Sequence, residues 1–210
     1  MVRAWLMCSP VINQSAPCSR DPSVDLSTDK LHQLGILTQY VSYAIPKAIN
    51  LFVMSCIGFS RKICMQLIRV PVVDKNGLLD KICKERGYTV RDKLVVSRDV
   101  TPDYDTEIKK LFEEHMHIDE EARYIVDGSG YFDVRNENDA WVRIAVEPGD
   151  VMILPSGIFH RFTPDHRDYF HALRLFKENH DRIPHNRTEL AKLINAREGY
   201  IKEYVEKHRA

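Results

Sequence analysis

Three histidines and one glutamate in the second half of the chain have the chemistry and the spacing of a transition-metal site. These residues are His115, His117, Glu121 and His160. Imidazole and carboxylate ligands suit iron, nickel, manganese or zinc, and ligand type alone does not choose among these ions. Four protein ligands on an octahedral ion leave two neighbouring positions open, which is typical of catalytic rather than structural sites. The pattern therefore predicts a metal-dependent enzyme.

Two separate strands must deliver these side chains to one ion. Side chains alternate along a strand, so His115 and His117 share one face, and Glu121 has the same parity if the strand continues. His160 follows a second strand-like run at residues 151–154, which ends in the turn sequence Pro-Ser-Gly. We expect the two segments to converge on the ion.

Short strands and tight turns surround the metal residues, and helices flank them. The strands are predicted at residues 123–126, 131–135, 141–147, 151–154 and 169–176. Their regular spacing indicates an antiparallel barrel. Apolar residues at helical spacing predict helices from Leu78 to Gly87 and over residues 105–114, and one or two more beyond Thr188, with a break at Gly199. A short helix is also expected from Ser27 to Gly35.

Because a chain with nine histidines can place two of them two residues apart by chance, the surroundings of the pair matter. Glu121 is followed by Gly128, and residues 149–160 read GDVMILPSGIFH. This double pattern resembles the two cupin motifs. It departs from them in lacking the first glycine and in having Pro164 where an asparagine is usual.

A longer stretch resembles one family within the cupins. Residues 113–135 read EEHMHIDEEARYIVDGSGYFDVR, and they are followed by WVR at 141–143, GDVMILPSGIFHRF at 149–162 and RLF at 174–176. Together these segments look like acireductone dioxygenase, and the resemblance covers roughly residues 78–187. It implies a mostly β fold, a cupin-type antiparallel β-barrel (double-stranded β-helix or jelly roll) with peripheral α-helices. We expect a single domain over residues 1–210, with the barrel core at about 89–187 and a C-terminal helical segment at 188–210.

The resemblance also implies a reaction. Family members cleave the acireductone 1,2-dihydroxy-3-keto-5-methylthiopentene with O2 to 4-methylthio-2-oxobutanoate and formate in methionine salvage. One metal is bound per chain, with Fe2+ giving this reaction and Ni2+ an off-pathway cleavage that releases carbon monoxide. The partners expected are the small-molecule acireductone and O2, and the family adds a monomeric state and a contact with the cytoplasmic tail of a membrane protease.

Several residues receive roles through the same resemblance. The metal ligands are the four residues named above. Arg123 has the parity of the ligands, so its guanidinium is expected in the cavity, where it can neutralise an anionic substrate; the alternative is a surface salt bridge. Arg174 and Phe162 are expected to line the substrate cavity, and Glu114 to act as a base or to support a ligand. Arg182 stands where the family has a tryptophan, which predicts altered substrate closure and weaker activity.

Two alternative functions remain open. One is another cupin with the same four ligands, such as an oxygenase or a manganese-dependent oxalate-degrading enzyme; Arg123 and the RLF segment argue against it. The other is a catalytically impaired cupin that binds proteins. The intact ligand set argues against this second function, whereas Arg182 and the atypical segment described below leave it open.

The composition indicates one globular enzyme and excludes other classes of protein. The 210 residues are 44% hydrophobic, enough for one substantial core. Thirty basic and thirty acidic residues cancel, so neither a nucleic acid nor an anionic membrane is an expected partner. Five scattered cysteines indicate reduced thiols. No export signal is visible, so we expect a cytoplasmic protein, and the family resemblance adds the nucleus as a second location.

Residues 41–73 form a segment without a counterpart in the family. It reads VSYAIPKAINLFVMSCIGFSRKICMQLIRVPVV. Its apolar run at 48–59 is too short to cross a bilayer, which needs about 20 residues. We therefore expect an atypical insertion that forms a loop or an amphipathic helix on the barrel, without stable membrane insertion.

Overall fold

The computed structural model describes residues 3–8, 11, 13–19, 26, 36–39, 65–69 and 77–206. Its strands are β1 (Arg3–Leu6), β2 (Ile36–Gln39), β3 (Met65–Arg69), β4 (Val90–Ser97), β5 (His115–Met116), β6 (Glu121–Gly128), β7 (Gly130–Arg135), β8 (Trp141–Val146), β9 (Asp150–Leu154), β10 (His160–Pro164), β11 (Tyr169–Phe176) and β12 (His185–Asn186). Its helices are α1 (Leu78–Arg86), α2 (Tyr104–Leu111) and α3 (Asn195–Tyr200), with a 3-10 turn at Leu190–Leu193 and a π-helical turn at Ile201–Val205.

The described strands form two six-stranded sheets. The first has the order β1-β8-β7-β10-β5-β12, and the second has the order β2-β3-β9-β6-β11-β4. Within the described residues the pairing is antiparallel except between β2 and β3. From β6 to β11 the chain crosses repeatedly between the sheets, with the β7–β8 hairpin in the first. This confirms the predicted mostly β fold of the cupin type.

The main core fills the space between the two sheets. Alternate side chains of each strand point inward, so that Ile144 of the first sheet and Ile125, Met152 and Phe170 of the second are all fully buried. Burial of one such side chain contributes roughly 1.5–3 kcal/mol. These two inward faces give the barrel its stability and form the wall of the interior.

A second core lies under α1, on the outer face of the second sheet. Val151 and Ile153 of β9 point into it and pack with Leu79 and Ile82 of the helix. Met152 and Leu154 point the other way, into the main core, so both faces of β9 are covered, and all five of its residues are buried. α1 ends as predicted at Gly87, whose left-handed backbone (φ 73°) lets its amide donate to carbonyls of the last turn.

The described residues of the C-terminal segment contain a 3-10 turn, α3 and a π-helical turn, but the break predicted at Gly199 is absent from them. Gly199 lies inside α3, which continues directly into the π-helical turn. The interruption lies earlier, at Ile194, whose extended backbone (φ −75°, ψ 130°) separates the 3-10 turn from α3. A glycine weakens a helix only modestly when tertiary packing supports it, and here Tyr200 packs into the main core.

The atypical segment contributes one element to the described structure. Met65–Arg69 form β3, which pairs antiparallel with β9, so these five residues are a strand rather than a loop. The other residues of 41–73 lie outside the described part of the chain, as do the apolar run at 48–59 and the helix expected at 27–35. Among the described residues no helix is long and apolar enough to cross a membrane.

Candidate metal centre

Strand ends from both sheets bring the four predicted metal ligands together. His115 opens β5 and lies directly opposite His160, the first residue of β10. His117 directly follows β5, and Glu121 is the first residue of β6 in the other sheet. The candidate centre therefore draws three imidazoles from the side of the first sheet and one carboxylate from the second.

The continuous strand that would place Glu121 on the same face as the histidine pair does not form. β5 ends after two residues, and residues 117–120 bend away from it into β6. The amide of Gly157 donates to the carbonyl of His117 at 2.9 Å, which ties this bend to the turn before His160. Glu121 thus reaches the site as the first residue of a new strand. Alternation of side chains along a single strand does not explain its position.

The ligand atoms of the three histidines lie within 4.8 Å of one another. The Oε2 atom of Glu121 is 3.3 Å from Nε2 of His117 and 3.7 Å from Nε2 of His160. The three histidines therefore form one cluster, and the Glu121 carboxylate contacts two of its members. A cluster of this size matches the separation that ligands adopt around a single transition-metal ion.

Hydrogen bonds select the same free nitrogen on all three rings. Nδ1 of His115 contacts the Glu113 carbonyl oxygen at 2.8 Å, Nδ1 of His117 that of Ile183 at 3.1 Å, and Nδ1 of His160 that of Ile158 at 3.0 Å. A carbonyl only accepts hydrogen bonds, so Nδ1 carries the proton and Nε2 presents its lone pair. This is the arrangement in which backbone acceptors orient metal-bound imidazoles.

One of these nitrogens is left without a partner. His160 is 2% exposed, and its Nε2 makes no hydrogen bond to the described residues. A buried polar atom without a partner costs roughly 1–3 kcal/mol. A cation bound by the histidine cluster would remove this cost for His160, so the residues present fit a divalent transition metal.

The protonation states also suit a metal. Burial lowers the pKa of His115 to about 4, so this ring is neutral at physiological pH. Burial opposes ionisation of Glu121, but the positive charge of the neighbouring Arg123 holds the pKa of its carboxyl well below the usual range. A neutral imidazole and an ionised carboxylate bind a cation without first releasing protons.

Arg123 lies at the centre and not on the surface. Its side chain is 12% exposed, and Nη2 is 3.0 Å from Oε2 of Glu121. Burial lowers the pKa of this guanidinium, yet an arginine remains charged at any physiological pH. The surface salt bridge considered for Arg123 is therefore wrong, and the residue places a positive charge beside the candidate metal ligands.

A cavity of about 850 Å³ opens onto the candidate centre. Besides the four metal candidates and Arg123, its wall contains apolar side chains from strands and helices: Leu94, Leu111, Phe132, Phe162, Phe170 and Phe176. Phe162 lies between Phe132 and Phe170, with ring centroids 4.6 Å and 4.5 Å away. The cavity thus combines a polar metal end with an apolar wall, as small-molecule sites do.

Comparison with known proteins identifies the family. The model of the ARD/ARD' family matches residues 62–184. An acireductone dioxygenase of Branchiostoma floridae is 37% identical over 202 residues, covering 96% of this chain and 97% of the relative. The acireductone dioxygenase of Schizosaccharomyces pombe is 52% identical over 130 residues, covering 61% of this chain and 73% of the relative.

The chain belongs to the acireductone dioxygenase family.

A solved member of the family has the same fold. The acireductone dioxygenase from Bacillus anthracis, with a cadmium ion in its active centre, matches 88% of this chain and 97% of its own with a TM-score of 0.57 and 20% identity. The family match begins at residue 62, so residues 62–73 of the atypical segment lie within it. All the predicted site residues also lie within the matched range.

Arg174 lies at the cavity, as expected from the family resemblance. It is paired in register with Arg123 on the neighbouring strand. Its guanidinium is held by Asp92 through two hydrogen bonds, from Nε at 2.6 Å and from Nη2 at 2.8 Å. The sequence pattern did not reveal Asp92, because it lies in a separate strand far from the motifs.

Glu114 is the predicted site residue that the structure does not bring to the cavity. It precedes His115, so its side chain takes the opposite direction. Its carboxylate accepts hydrogen bonds from Arg135 at 2.9 Å and 2.8 Å and from Arg187 at 2.8 Å. Burial opposes ionisation, but the two arginines lower the pKa of Glu114. An ionised carboxylate with both oxygens occupied is a structural partner and not a base for the cavity.

Proposed function

We propose that this chain is a metal-dependent acireductone dioxygenase that cleaves 1,2-dihydroxy-3-keto-5-methylthiopentene with O2 to 4-methylthio-2-oxobutanoate and formate. The observation that carries the proposal is the cluster of three histidines, with the Glu121 carboxylate in contact with two of them, at one end of a cavity that has an apolar wall. Family membership gives this geometry its substrate and its place in methionine salvage.

The four ligand residues have defined tasks in this proposal. His115, His117, Glu121 and His160 would hold Fe2+, which supplies a positive charge that favours deprotonation of an enediol. The carbonyl groups bonded to each Nδ1 keep the rings oriented, so they do not need to reorganise when a ligand binds. One metal per chain follows from the single histidine cluster within the described residues.

The rest of the cavity binds and shields the substrate. Arg123 stabilises the enediolate anion, because its guanidinium is buried beside the metal candidates and its charge is little screened by water. Phe162 and its neighbouring rings accept the apolar methylthio end of the substrate. Arg174 supports the same wall through Asp92, which fixes the direction of its guanidinium.

Metal identity is part of the proposal. We expect the iron form to give the methionine-salvage products and the nickel form to cleave the same substrate off-pathway with release of carbon monoxide. Both ions accept imidazole and carboxylate ligands, so the donor set is compatible with either. The enzyme is further proposed to act as a monomer in the cytoplasm and the nucleus, with the membrane-protease contact as a family-derived partner.

The test is oxygen uptake with a synthetic acireductone, measured on iron-reconstituted and nickel-reconstituted protein and paired with product identification. The expected products are formate from both forms and carbon monoxide from the nickel form alone. Turnover of oxalate, but not of the acireductone, would identify a different cupin enzyme. Full metal loading without turnover of either compound would instead support a protein-binding cupin.

A further inference from the structure

Three guanidinium groups surround one aromatic ring on the cavity wall. The Cζ atoms of Arg182, Arg174 and Arg123 lie 4.2, 5.7 and 5.8 Å from the centroid of Phe176. The ring of His180 stacks on the same phenyl ring at 4.0 Å with an interplanar angle of 14°. Phe176 therefore organises a cluster of positive charge, since the face of an aromatic ring attracts cations.

The charges of this cluster do not balance. Asp92 accepts from Arg174 at 2.6 Å and 2.8 Å and from Nη1 of Arg182 at 2.8 Å, so one carboxylate serves two guanidinium groups. Arg123 pairs with Glu121, which is also a metal-ligand candidate. Three cations therefore share two carboxylates. When Glu121 binds a metal, Asp92 is the carboxylate that remains dedicated to the cluster.

Arg182 is the most accessible member of the cluster. Its side chain is 45% exposed, against 29% for Arg174 and 12% for Arg123. Its Nε is bonded to Nε2 of His180, which in turn contacts the Lys177 carbonyl through Nδ1. In the described part of the chain, Nη2 of Arg182 has no hydrogen-bond partner. A guanidinium that is fixed in direction and has a spare donor is suited to bind an anion.

We propose that Arg182 is a substrate-binding residue that captures the enediolate anion at the cavity wall, and that Asp92 is its positioning residue. The proposal rests on the proposed function for the identity of the substrate. Arg123 remains the cation at the metal end of the cavity, and Arg182 adds a second one nearer to solvent. Its contribution is to binding and to the rate of association, which respond to a long-range charge.

The experiment compares Arg182→Ala with Arg98→Ala. Arg98 is a matched control, because its guanidinium also bonds two carboxylates, Asp105 and Asp168, and lies over an aromatic ring, that of Tyr104. It is 57% exposed and is not part of the cavity wall. Both variants remove one positive charge from the surface, and only one of them removes it from the cavity.

On iron-loaded protein we expect Arg182→Ala to raise the KM for acireductone roughly tenfold and to change kcat by less than about twofold, because a hydrogen bond to a charged group is lost. The decline of kcat/KM with ionic strength should become shallower. Arg182→Lys should keep the salt dependence but recover only part of the KM, and Asp92→Asn should raise KM while the charge remains. Arg98→Ala should match the wild type.

A second measurement does not depend on turnover. Isothermal titration calorimetry with the anion 4-methylthio-2-oxobutanoate should give a Kd that is roughly tenfold weaker for Arg182→Ala than for the wild type and Arg98→Ala. Equal KM, salt dependence and Kd in Arg182→Ala and the wild type would overturn the role of Arg182 while leaving the proposed function intact. Absence of oxygen uptake by the wild type would count against the proposed function alone, and the calorimetric comparison would still decide the role of Arg182.

Discussion

Two buried carboxylates in this molecule, Asp133 and Glu121, have opposite surroundings. Asp133 is fully buried and accepts three hydrogen bonds, from Arg143 at 2.6 Å and 2.8 Å and from Arg161 at 2.9 Å. The remaining Arg143 nitrogen donates to the carbonyls of Gln14 and Ala16. Each of these arginine N–H donors therefore meets a carboxylate or carbonyl oxygen that accepts its hydrogen bond.

The surroundings of Glu121 do not provide a hydrogen-bond donor at every contact of its carboxylate. One of its oxygens faces Arg123 and the Nε2 atoms of two histidines, but those nitrogens present lone pairs when Nδ1 is protonated. A lone pair facing a carboxylate oxygen is repulsive unless a proton or a cation lies between them. The comparison teaches that a completed buried network supports the fold, whereas an incomplete one indicates a ligand.

The largest expected effect is at the incomplete network, which consists of Glu121, the histidines around it and Arg123. His117→Ala should lose bound metal and reduce turnover by more than about 100-fold, because even residues that only orient metal ligands contribute 10- to 100-fold. Metal content by elemental analysis and oxygen uptake would be measured together. His166→Ala, at a side chain that is 82% exposed, is the control. Full activity in His117→Ala would refute the assignment of this centre.

The next effect concerns the completed network. Asp133→Ala should lower the free energy of unfolding by about 3–5 kcal/mol, because it leaves the buried Arg143 without a counter-charge. Glu107→Ala breaks an exposed pair with Lys110, whose side chains are 43% and 61% exposed, and should cost less than about 1 kcal/mol. Urea unfolding of both variants would test this difference. Equal stabilities of the two variants would show that Asp133 does not stabilise the fold.

Arg123→Ala separates substrate binding from metal binding within the incomplete network. We expect kcat/KM to fall roughly 10- to 100-fold, since a hydrogen bond to a charged group contributes about 1.5–3 kcal/mol. Metal content should remain that of the wild type, because the three histidines and Glu121 are unchanged. Loss of metal in this variant would mean that Arg123 holds Glu121 in place for the ion.

The smallest effect is the pH dependence contributed by Asp92. Burial opposes its ionisation, but hydrogen bonds from Arg174 and Arg182 outweigh this and lower its pKa. Its stabilisation is therefore present above the ordinary carboxyl pKa of about 3.9 and is lost as the pH falls through the lowered value. Because Asp92 is partly exposed, we expect the free energies of unfolding of the wild type and Asp92→Asn to differ by less than about 1 kcal/mol at pH 6. This difference should shrink as the pH is lowered toward 3. A difference that grows on acidification would contradict this sign.

Local patterns in the sequence predicted much of the fold. The strand at residues 169–176 has the predicted bounds, and α1 begins at Leu78 and ends at Gly87 as its stop signal indicates. These features depend on alternation and on capping, which act over a few neighbouring residues. The break expected at Gly199 failed because packing of the C-terminal helix on the main core overrides a weak local preference.

Local patterns in the sequence predicted only part of the candidate site. The residue types and the spacing of His115, His117, Glu121 and His160 were sufficient to indicate a metal, because coordination chemistry restricts which side chains can serve. Parity along a single strand was the wrong reason for including Glu121, which arrives from the other sheet. The alternation of side chains along a strand also could not show that the Glu114 carboxylate is hydrogen-bonded to Arg135 and Arg187.

The sequence by itself determined the chemistry: which side chains can hold a cation, and that strands rather than helices must present them. The tertiary structure alone decided which charges meet, as in the bond between Arg182 and Asp92, 90 residues apart in the chain. The physical reason is range. Backbone preferences act between near neighbours, whereas the register of two sheets, set by the whole core, determines contacts between distant residues.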